Sequence, residues 1–327
     1  MAYGIYAGLI HAQSMRDEEA GVRPISEANT RERCERLAEA REKLLATPED
    51  EWARGIVAKA SQRPDLFTLP QKAASNSSRP AKEAYEAFAS IYDDFNYRND
   101  YEMWFGVLLP ELEKRGLKKG RLLDVGCGTG RAFEPMLRRG WQIQGSDIST
   151  AMLVEAERKF GDAVALDAAD AAELPVYGEF ELVWALNDVV NYLTGDGDLE
   201  RALRGMRVNL AADGMVLFDS NSLGLFESDF TGGNSEGMSV GEWTWRGLSD
   251  AAVAGAIHEA EVSGAGVETH VHRARHYTPE EIREAMAAAG LGYVVALGQT
   301  EEDGQVVLVD PPDEQRDHKI VYIGRAA

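Results

Sequence analysis

The chain has 327 residues, a hydrophobic fraction of 44% and a formal net charge of −21. This length accommodates one large domain with an appendage, or two modest domains. The acidic balance argues against a nucleic-acid partner, because binding to a polyanion depends on Lys and Arg side chains that neutralise phosphates. The sequence has two cysteines and no apolar run near the roughly 18 residues that span a bilayer. We therefore expect a cytoplasmic protein that does not enter a membrane.

Residues 1–80 are predicted to form a helical extension. Apolar residues within 30–46 recur at helical spacing between charged ones, and the Thr-Pro-Glu-Asp of residues 47–50 is typical of a helix start. The polar, proline-ended segment 74–80 is typical of a linker. The extension is compatible with a lid or with homodimerisation, and the remaining residues 81–327 are predicted to form the second domain.

Helices and strands alternate in the second domain. Two helices are predicted first, over residues 84–95 and 101–114. The strands that follow are predicted over residues 121–126, 142–148, 163–166, 181–186 and 215–220. The helices between them are predicted over residues 132–139, 151–160 and 199–210. This alternation predicts an α/β fold, with a mostly parallel sheet and helices on both of its faces.

The alternation stops within residues 222–277. Three extended segments separated by Gly and Ser predict a small antiparallel insert there. A helix is then predicted to begin after Thr278, its N-cap, and to end at Gly290. Two last strands are predicted over residues 293–297 and 319–323.

A glycine-rich turn, DVGCGTG over residues 124–130, follows the first predicted strand of the sheet. A phosphate-binding P-loop requires Lys and then Ser or Thr after the last glycine, and the chain has Arg131 and Ala132 instead. A dinucleotide fold has the pattern G-x-G-x-x-G, whereas this turn has G-x-G-x-G. A third hypothesis is a turn that approaches S-adenosylmethionine (SAM), which has no phosphate.

Acidic residues at later strand ends help to separate these hypotheses. Asp147 ends the second strand, at a distance from the turn that suits hydrogen bonds to a ribose diol, although this alone also fits NAD. Asp170 follows the third strand, where its carboxylate would accept from an adenine amino group. The Ala171 N–H would donate to the adenine ring.

With these residues in order, residues 121–220 resemble the cofactor half of class I SAM-dependent methyltransferases. The family motif is matched by residues 124–130, the ribose acid by Asp147, the adenine acid by Asp170, and the segment after strand four by residues 186–188. The similarity runs from about residue 82 to the C-terminus. It implies a Rossmann-like sheet and SAM as cofactor. The cofactor-binding residues it implies are Tyr92, Asp124, Gly126, Cys127, Gly128, Gly130, Asp147, Ile148, Asp170, Ala171 and Leu186.

Methyl transfer from a sulfonium is an in-line displacement, so the protein chiefly orients the nucleophile and excludes water. Tyr92 is a candidate lid residue by resemblance, and packing of its helix is the alternative. Asn187 and Asp188 fall where the resemblance puts the mouth of the active site, or they cap the following turn. His272 is a candidate general base, with an exposed strand whose histidines bond locally as the alternative. The predicted catalytic residues are therefore Tyr92, Asn187, Asp188 and His272.

Four of the six histidines lie within residues 258–276. In a strand His270, His272 and His276 would share one face, and an H-x-H pair on a strand can chelate a metal. No carboxylate or Cys clearly completes such a set, so no metal site is predicted.

The predicted function is methylation of a small molecule, with an amine nucleophile favoured over oxygen or carbon. An amino acid, an amino sugar or a natural-product intermediate would be suitable substrates. One alternative is an enzyme of the same fold that cyclises or cleaves SAM and releases methylthioadenosine. Another is a non-catalytic SAM-binding protein that interacts with a partner through residues 1–80.

Overall fold

The computed structural model describes residue 54 and residues 77–97, 99–232 and 238–327. The helix predicted within residues 30–46 lies outside the described residues, and of the helix predicted after residue 47 only residue 54 is described. The chain divides into two compact units, one of residues Met1–Ala73 with Val176–Gly178, and one of Ala74–Pro175 with Glu179–Ala327. Every element described below belongs to the second unit. The extension's role and the boundary at residue 80 stay predictions.

Eight α-helices occur in the described part of the chain. They are α1 (Arg79–Phe88), α2 (Tyr92–Phe95), α3 (Tyr101–Lys114), α4 (Phe133–Arg138), α5 (Thr150–Phe160), α6 (Asp198–Val208), α7 (Leu223–Asp229) and α8 (Pro279–Ala288). The strands are β1 (Arg121–Val125), β2 (Gln142–Asp147), β3 (Ala165–Ala168), β4 (Phe180–Ala185), β5 (Leu210–Asn221), β6 (Met238–Val240), β7 (Trp243–Gly247), β8 (Ile257–Gly264), β9 (His270–Arg275), β10 (Leu291–Glu302), β11 (Gln305–Val309) and β12 (Lys319–Ala326).

The main sheet has eight strands in the order β11-β10-β12-β5-β4-β1-β2-β3. The five strands from β3 to β5 are parallel, which confirms the α/β fold predicted from the alternation. Strand β12 then pairs antiparallel with β5, β10 pairs with β12, and β11 pairs with β10. The hairpin strand β11 was not predicted. Because the parallel strands run in one direction, their carboxyl ends meet at a single edge of the sheet.

The central strands are buried because both faces of the sheet are covered. In β1 every residue after Arg121 is buried, and Leu122 and Leu182 are fully inaccessible. Such continuous apolar runs are typical of parallel strands covered on both sides. Helix α3 covers one face, where the ring of Phe105 stacks on that of Trp184 with their centroids 5.1 Å apart. Burying each large apolar side chain contributes about 1.5–3 kcal/mol to stability.

The segment predicted as one helix over residues 84–95 is two helices. Between α1 and α2 the backbone forms i→i−3 hydrogen bonds. The Ile91 N–H donates to the Phe88 carbonyl, and the Tyr92 N–H donates to the Ala89 carbonyl. These i→i−3 hydrogen bonds interrupt the α-helical pattern between α1 and α2. We call α1 and α2 together the lid.

The predicted insert is a second, antiparallel sheet in the order β6-β7-β8-β9. The short strand β6 and helix α7 were not predicted. Side chains of β8 alternate between exposed and buried, as expected for a sheet with one solvated face. The buried face packs on the lid in a cluster that includes Val262, Phe88 and Phe95. The predicted helix after Thr278 is α8, whose capping box pairs Thr278 with Glu281.

Candidate functional site

A cleft of about 800 Å³, counting the solvent at its mouth, lies at the carboxyl ends of the parallel strands. The predicted site residues that line it are Tyr92, Gly126, Cys127, Gly128, Asp147, Ile148, Asp170, Ala171, Leu186 and Asn187. The predicted residues that do not line it are Asp124, Gly130, Asp188 and His272. Further lining residues not assigned from the sequence include Tyr85, Tyr101, Arg131 and Tyr192. Tyr85, on α1, therefore also faces the cleft.

The glycine turn connects β1 to α4 and forms the floor of the cleft. Gly128 has φ +53°, and a Cβ added there would meet only the Tyr92 ring, at 3.9 Å. Its backbone is therefore open to a ligand. Gly130 has φ +76°, but a Cβ there would lie 2.6 Å from the Phe133 ring. Gly130 thus serves close packing of the turn on α4, whereas Gly128 serves the cleft.

Asp147 ends β2 and faces the cleft beside the turn. One carboxylate oxygen accepts from the Gly128 N–H at 2.8 Å, and the other accepts from the Ser149 N–H at 2.8 Å. Burial raises the pKa of Asp147 to about 6, against the opposing effect of these backbone donors. A carboxylate has about four acceptor positions, so this group can also accept from a ligand's hydroxyls.

Asp170 precedes the 3₁₀ turn Ala171–Glu173 and caps it, because its Oδ1 accepts from the Ala172 N–H at 2.9 Å. Its other oxygen, Oδ2, is buried and has no hydrogen-bond partner. Buried acceptors in native proteins are almost always satisfied. This oxygen lies in a residue that lines the cleft, so it fits the amino group of an adenine, and the two acids together fit the adenosine of SAM.

Asp124 and Cys127, two residues of the glycine motif, are both buried. Asp124 is 3% exposed in the middle of the sheet, and burial raises its pKa to about 7. It does not line the cleft. Burial also raises the pKa of the Cys127 thiol well above its usual range, so the thiol stays protonated and unreactive.

Tyr92 lies over the glycine turn because the lid is fastened to the core at two points. The Asp93 carboxylate accepts from the Thr129 hydroxyl at 2.5 Å and from the Lys159 ammonium at 2.7 Å. Farther along the lid, Glu86 accepts from the backbone and hydroxyl of Thr150 at 2.8 and 2.9 Å. Burial raises the pKa of Tyr92 well above its ordinary value, so its hydroxyl is protonated.

Asn187 and Asp188 follow β4 and both have left-handed backbones, with φ of 65° and 62°. The Asn187 side chain lines the cleft, and its Nδ2 donates to the Tyr92 hydroxyl at 3.3 Å. Asp188 is not a lining residue, and its carboxylate accepts from Asn221 Nδ2 at 3.1 Å. Burial raises the pKa of Asp188 to about 6. Asp219 and Lys319 both form hydrogen bonds with this turn. Neither residue was identified from the sequence.

His272 is fully buried under the lid, which contradicts the alternative of an exposed strand for this residue. Its Nδ1 lies 3.0 Å from the Tyr192 hydroxyl, and the Trp245 ring is among the aromatic rings packed around it. Burial lowers the pKa of His272 to about 3. The ring is therefore neutral at physiological pH, and it contacts Tyr192 and Tyr85, which line the cleft.

His270 and His276 do not line the cleft. The rings of His270 and His272 are neighbours, with centroids 5.0 Å apart. His276 follows the end of β9, and its Nε2 lies 2.9 Å from the Glu314 carboxylate. Within the described ranges, no group of three or more His, Cys, Asp or Glu side chains is arranged to hold a metal ion. No helix in this part of the chain combines the length and apolarity needed to cross a bilayer.

Known proteins are similar to this chain in sequence. A family model described as a methyltransferase domain matches residues 122–214. YqeM of Bacillus subtilis (strain 168), a protein assigned as a methyltransferase, is 30% identical over 141 residues, which cover 42% of this chain and 56% of YqeM. The chain thus spans little more than half the length of that relative. The dTDP-3-amino-3,6-dideoxy-alpha-D-glucopyranose N,N-dimethyltransferase of Streptomyces fradiae is 26% identical over 229 residues, which cover 66% of this chain and 88% of that enzyme.

The fold also matches a solved structure. The crystal structure of a SAM-dependent methyltransferase from Clostridium acetobutylicum ATCC 824 aligns with a TM-score of 0.58 at 21% identity, covering 75% of this chain and 99% of that chain. The glycine turn, Asp147 and Asp170 all fall within the stretch that matches the family model. Residues 122–214 are therefore similar in sequence to a methyltransferase domain, and 75% of the chain shares the fold of a SAM-dependent methyltransferase.

Proposed function

We propose that this protein transfers the methyl group of SAM to an amine of a small molecule. Among such molecules, we propose an amino sugar as the substrate. The observation that carries the proposal is that one cleft contains both Asp147 and the Asp170 Oδ2, which has no hydrogen-bond partner. The titratable groups beside them are either protonated or weakly basic. When bound, SAM supplies an electrophilic methyl group on a sulfonium.

Four residues would hold the cofactor. Asp147 would accept from the ribose hydroxyls, and Asp170 would accept from the adenine amino group. The open backbone at Gly128 allows the nucleoside to approach closely. Tyr92, fastened above this turn, would cover the sulfonium with an aromatic face and exclude water.

The groups near the lid favour an amine over a hydroxyl as nucleophile. Burial raises the pKa values of Tyr85, Tyr92 and Tyr192 well above 10, so these hydroxyls do not act as bases. His272, with a pKa of about 3, is a weak base. An amine attacks through its own lone pair, whereas a hydroxyl requires a strong proton acceptor.

The relatives favour an amino sugar among the amines. The Streptomyces fradiae relative, matched over 88% of its length, is named as an N,N-dimethyltransferase of a dTDP-linked amino sugar. A sugar of this kind presents a primary amine flanked by hydroxyls. We therefore take a nucleotide-linked amino sugar as the first substrate to test.

The test incubates the protein with methyl-labelled SAM and a dTDP-linked 3-amino sugar. The matched control acceptor carries a hydroxyl in place of the amine. Mass spectrometry follows S-adenosylhomocysteine, methylthioadenosine and labelled sugar. We expect S-adenosylhomocysteine and N-methylated sugar in equal amounts per methyl transferred, with no product from the hydroxyl sugar. Methylthioadenosine from SAM alone would instead establish SAM cleavage, and methylation of the hydroxyl sugar would overturn the preference for nitrogen.

A further inference from the structure

The turn at Asn187 and Asp188 is held from below by one buried carboxylate. Asp219, on β5 and fully inaccessible, accepts from the Asn187 N–H at 2.6 Å and from the Asp188 N–H at 2.7 Å. Two successive left-handed residues point both N–H groups to one side, so a single carboxylate can accept from both. Asn and Asp are the non-glycine residues that adopt this conformation most readily.

Lys319, at the start of β12, holds the same turn through its side chain. Its ammonium donates to Asn187 Oδ1 at 2.9 Å and lies 3.3 Å from Asp219 Oδ1. The lysine side chain is 13% exposed, and Asp219 is its ionic partner. Asn187 is thus fixed at its backbone by Asp219 and at its side chain by Lys319, two residues separated in sequence by 100 positions.

An ammonium is a donor only, so it determines which end of the Asn187 amide faces it. The oxygen must face Lys319, and the two N–H groups of the amide must face the other way. One of them donates to the Tyr92 hydroxyl at 3.3 Å. Because Tyr92 accepts there, its own O–H proton remains available to another acceptor. Asn187 and Tyr92 both line the cleft, so this wall presents hydrogen-bond donors.

We propose that Lys319 is a positioning residue for the methyl acceptor. By holding Asn187 Oδ1, it directs the remaining amide N–H of Asn187 and the hydroxyl proton of Tyr92 into the cleft. There they bind an oxygen of the substrate, such as a hydroxyl adjacent to the amine that is methylated. This inference rests on the proposed function for the identity of the acceptor, but the orientation of Asn187 does not depend on it.

Two variants test the proposal through kinetics. Lys319→Met removes the ammonium, and Asn187→Asp removes the amide donors while keeping a partner for Lys319. We expect each to raise the acceptor KM or lower kcat/KM about 10-fold, the usual loss for one or two polar contacts, with the SAM Kd within about threefold of wild type. Lys319→Arg, which keeps a donor-only cation, should recover part of the loss. Lys118→Met, at an exposed lysine paired with Asp213, is the matched control.

A double variant separates positioning from a general structural role. If Lys319 acts through Asn187, adding Lys319→Met to Asn187→Asp should cost little further activity, because the donors are already absent. Fully additive losses, or a large rise in the SAM Kd with an unchanged acceptor KM, would overturn the proposal. The second result would mean that these donors serve the cofactor.

A measurement without turnover keeps the orientation testable if no acceptor is methylated. In protein labelled with ¹⁵N at asparagine, the Asn187 side-chain amide is identified by its absence in Asn187→Asp. We expect its protons to show a nuclear Overhauser effect to the Tyr92 ring in wild type and to lose it in Lys319→Met. An unchanged effect in Lys319→Met refutes the role of Lys319, whereas a wild-type protein that transfers no methyl group refutes the proposed function instead.

Discussion

Replacing Asp147 with alanine should weaken SAM binding more than any other single substitution on the floor of the cleft. The carboxylate is 8% exposed and is already oriented by the Gly128 and Ser149 N–H groups. Two ribose hydroxyls donating to it would each contribute about 1.5–3 kcal/mol, the range for hydrogen bonds to a charged group. Loss of both is therefore worth about 3–6 kcal/mol, or a Kd raised by roughly 10²–10⁴.

Isothermal titration calorimetry of SAM measures this loss, with the exposed Asp162→Ala as control. Asp147→Asn retains one carbonyl acceptor and should lose about half of the binding free energy that alanine loses. Since burial raises the Asp147 pKa to about 6, wild-type affinity should fall as the pH drops below 6, because the free carboxyl is then protonated. The alanine variant should lack this dependence. A folded Asp147→Ala protein that binds SAM within threefold of wild type would refute the assignment.

Three further substitutions test other parts of the site. Asp93→Ala should release the lid from Thr129 and Lys159 and raise the SAM dissociation rate about 10-fold in stopped-flow experiments; an unchanged rate contradicts the fastening. Gly130→Ala adds left-handed strain and a contact at 2.6 Å, so unfolding should cost about 2–5 kcal/mol less, measured by denaturant titration; equal stability contradicts the packing role. His272→Gln should keep activity within about threefold on an amine, because a ring with a pKa near 3 is a poor base; a loss of 10³ restores the base hypothesis.

The fold could be predicted where its determinants are local in sequence. Alternation of apolar runs and helical periodicity gave the five parallel strands, and the capping residues around Thr278 gave α8. The break between α1 and α2 was missed, because it comes from two i→i−3 hydrogen bonds and no glycine or proline marks it. The hairpin strand β11, in contrast, has a local signal that was overlooked. Asp303 and Gly304 form the two-residue turn between β10 and β11, with φ of 51° and 74°, and the apolar run 306–309 follows it.

The part of the cleft lining formed by the glycine turn, Asp147 and Asp170 could be predicted because these residues have recognisable types at strand ends. Glycines and acids within residues 124–171 follow three successive strands, so motif and spacing sufficed. Gly130 and Asp124 fall in the same motif, yet they pack beneath the turn instead of lining the cleft. A motif therefore identifies the turn, but the direction in which each residue faces is determined by the backbone angles and by neighbours such as Phe133.

The rest of the cleft lining comes from residues that are far apart in the chain, so the sequence is informative about the glycine turn and its acids and silent about a substrate. Tyr85 and Tyr92 come from the lid, and Tyr192 comes from the loop after β4. Behind them, His272 belongs to the insert and Lys319 to the last strand. None of these residues occurs in a motif with its partners. A change in the insert or in β12 can therefore alter the acceptor wall while the glycine turn and its acids stay the same, so relatives that share residues 122–214 need not share a substrate.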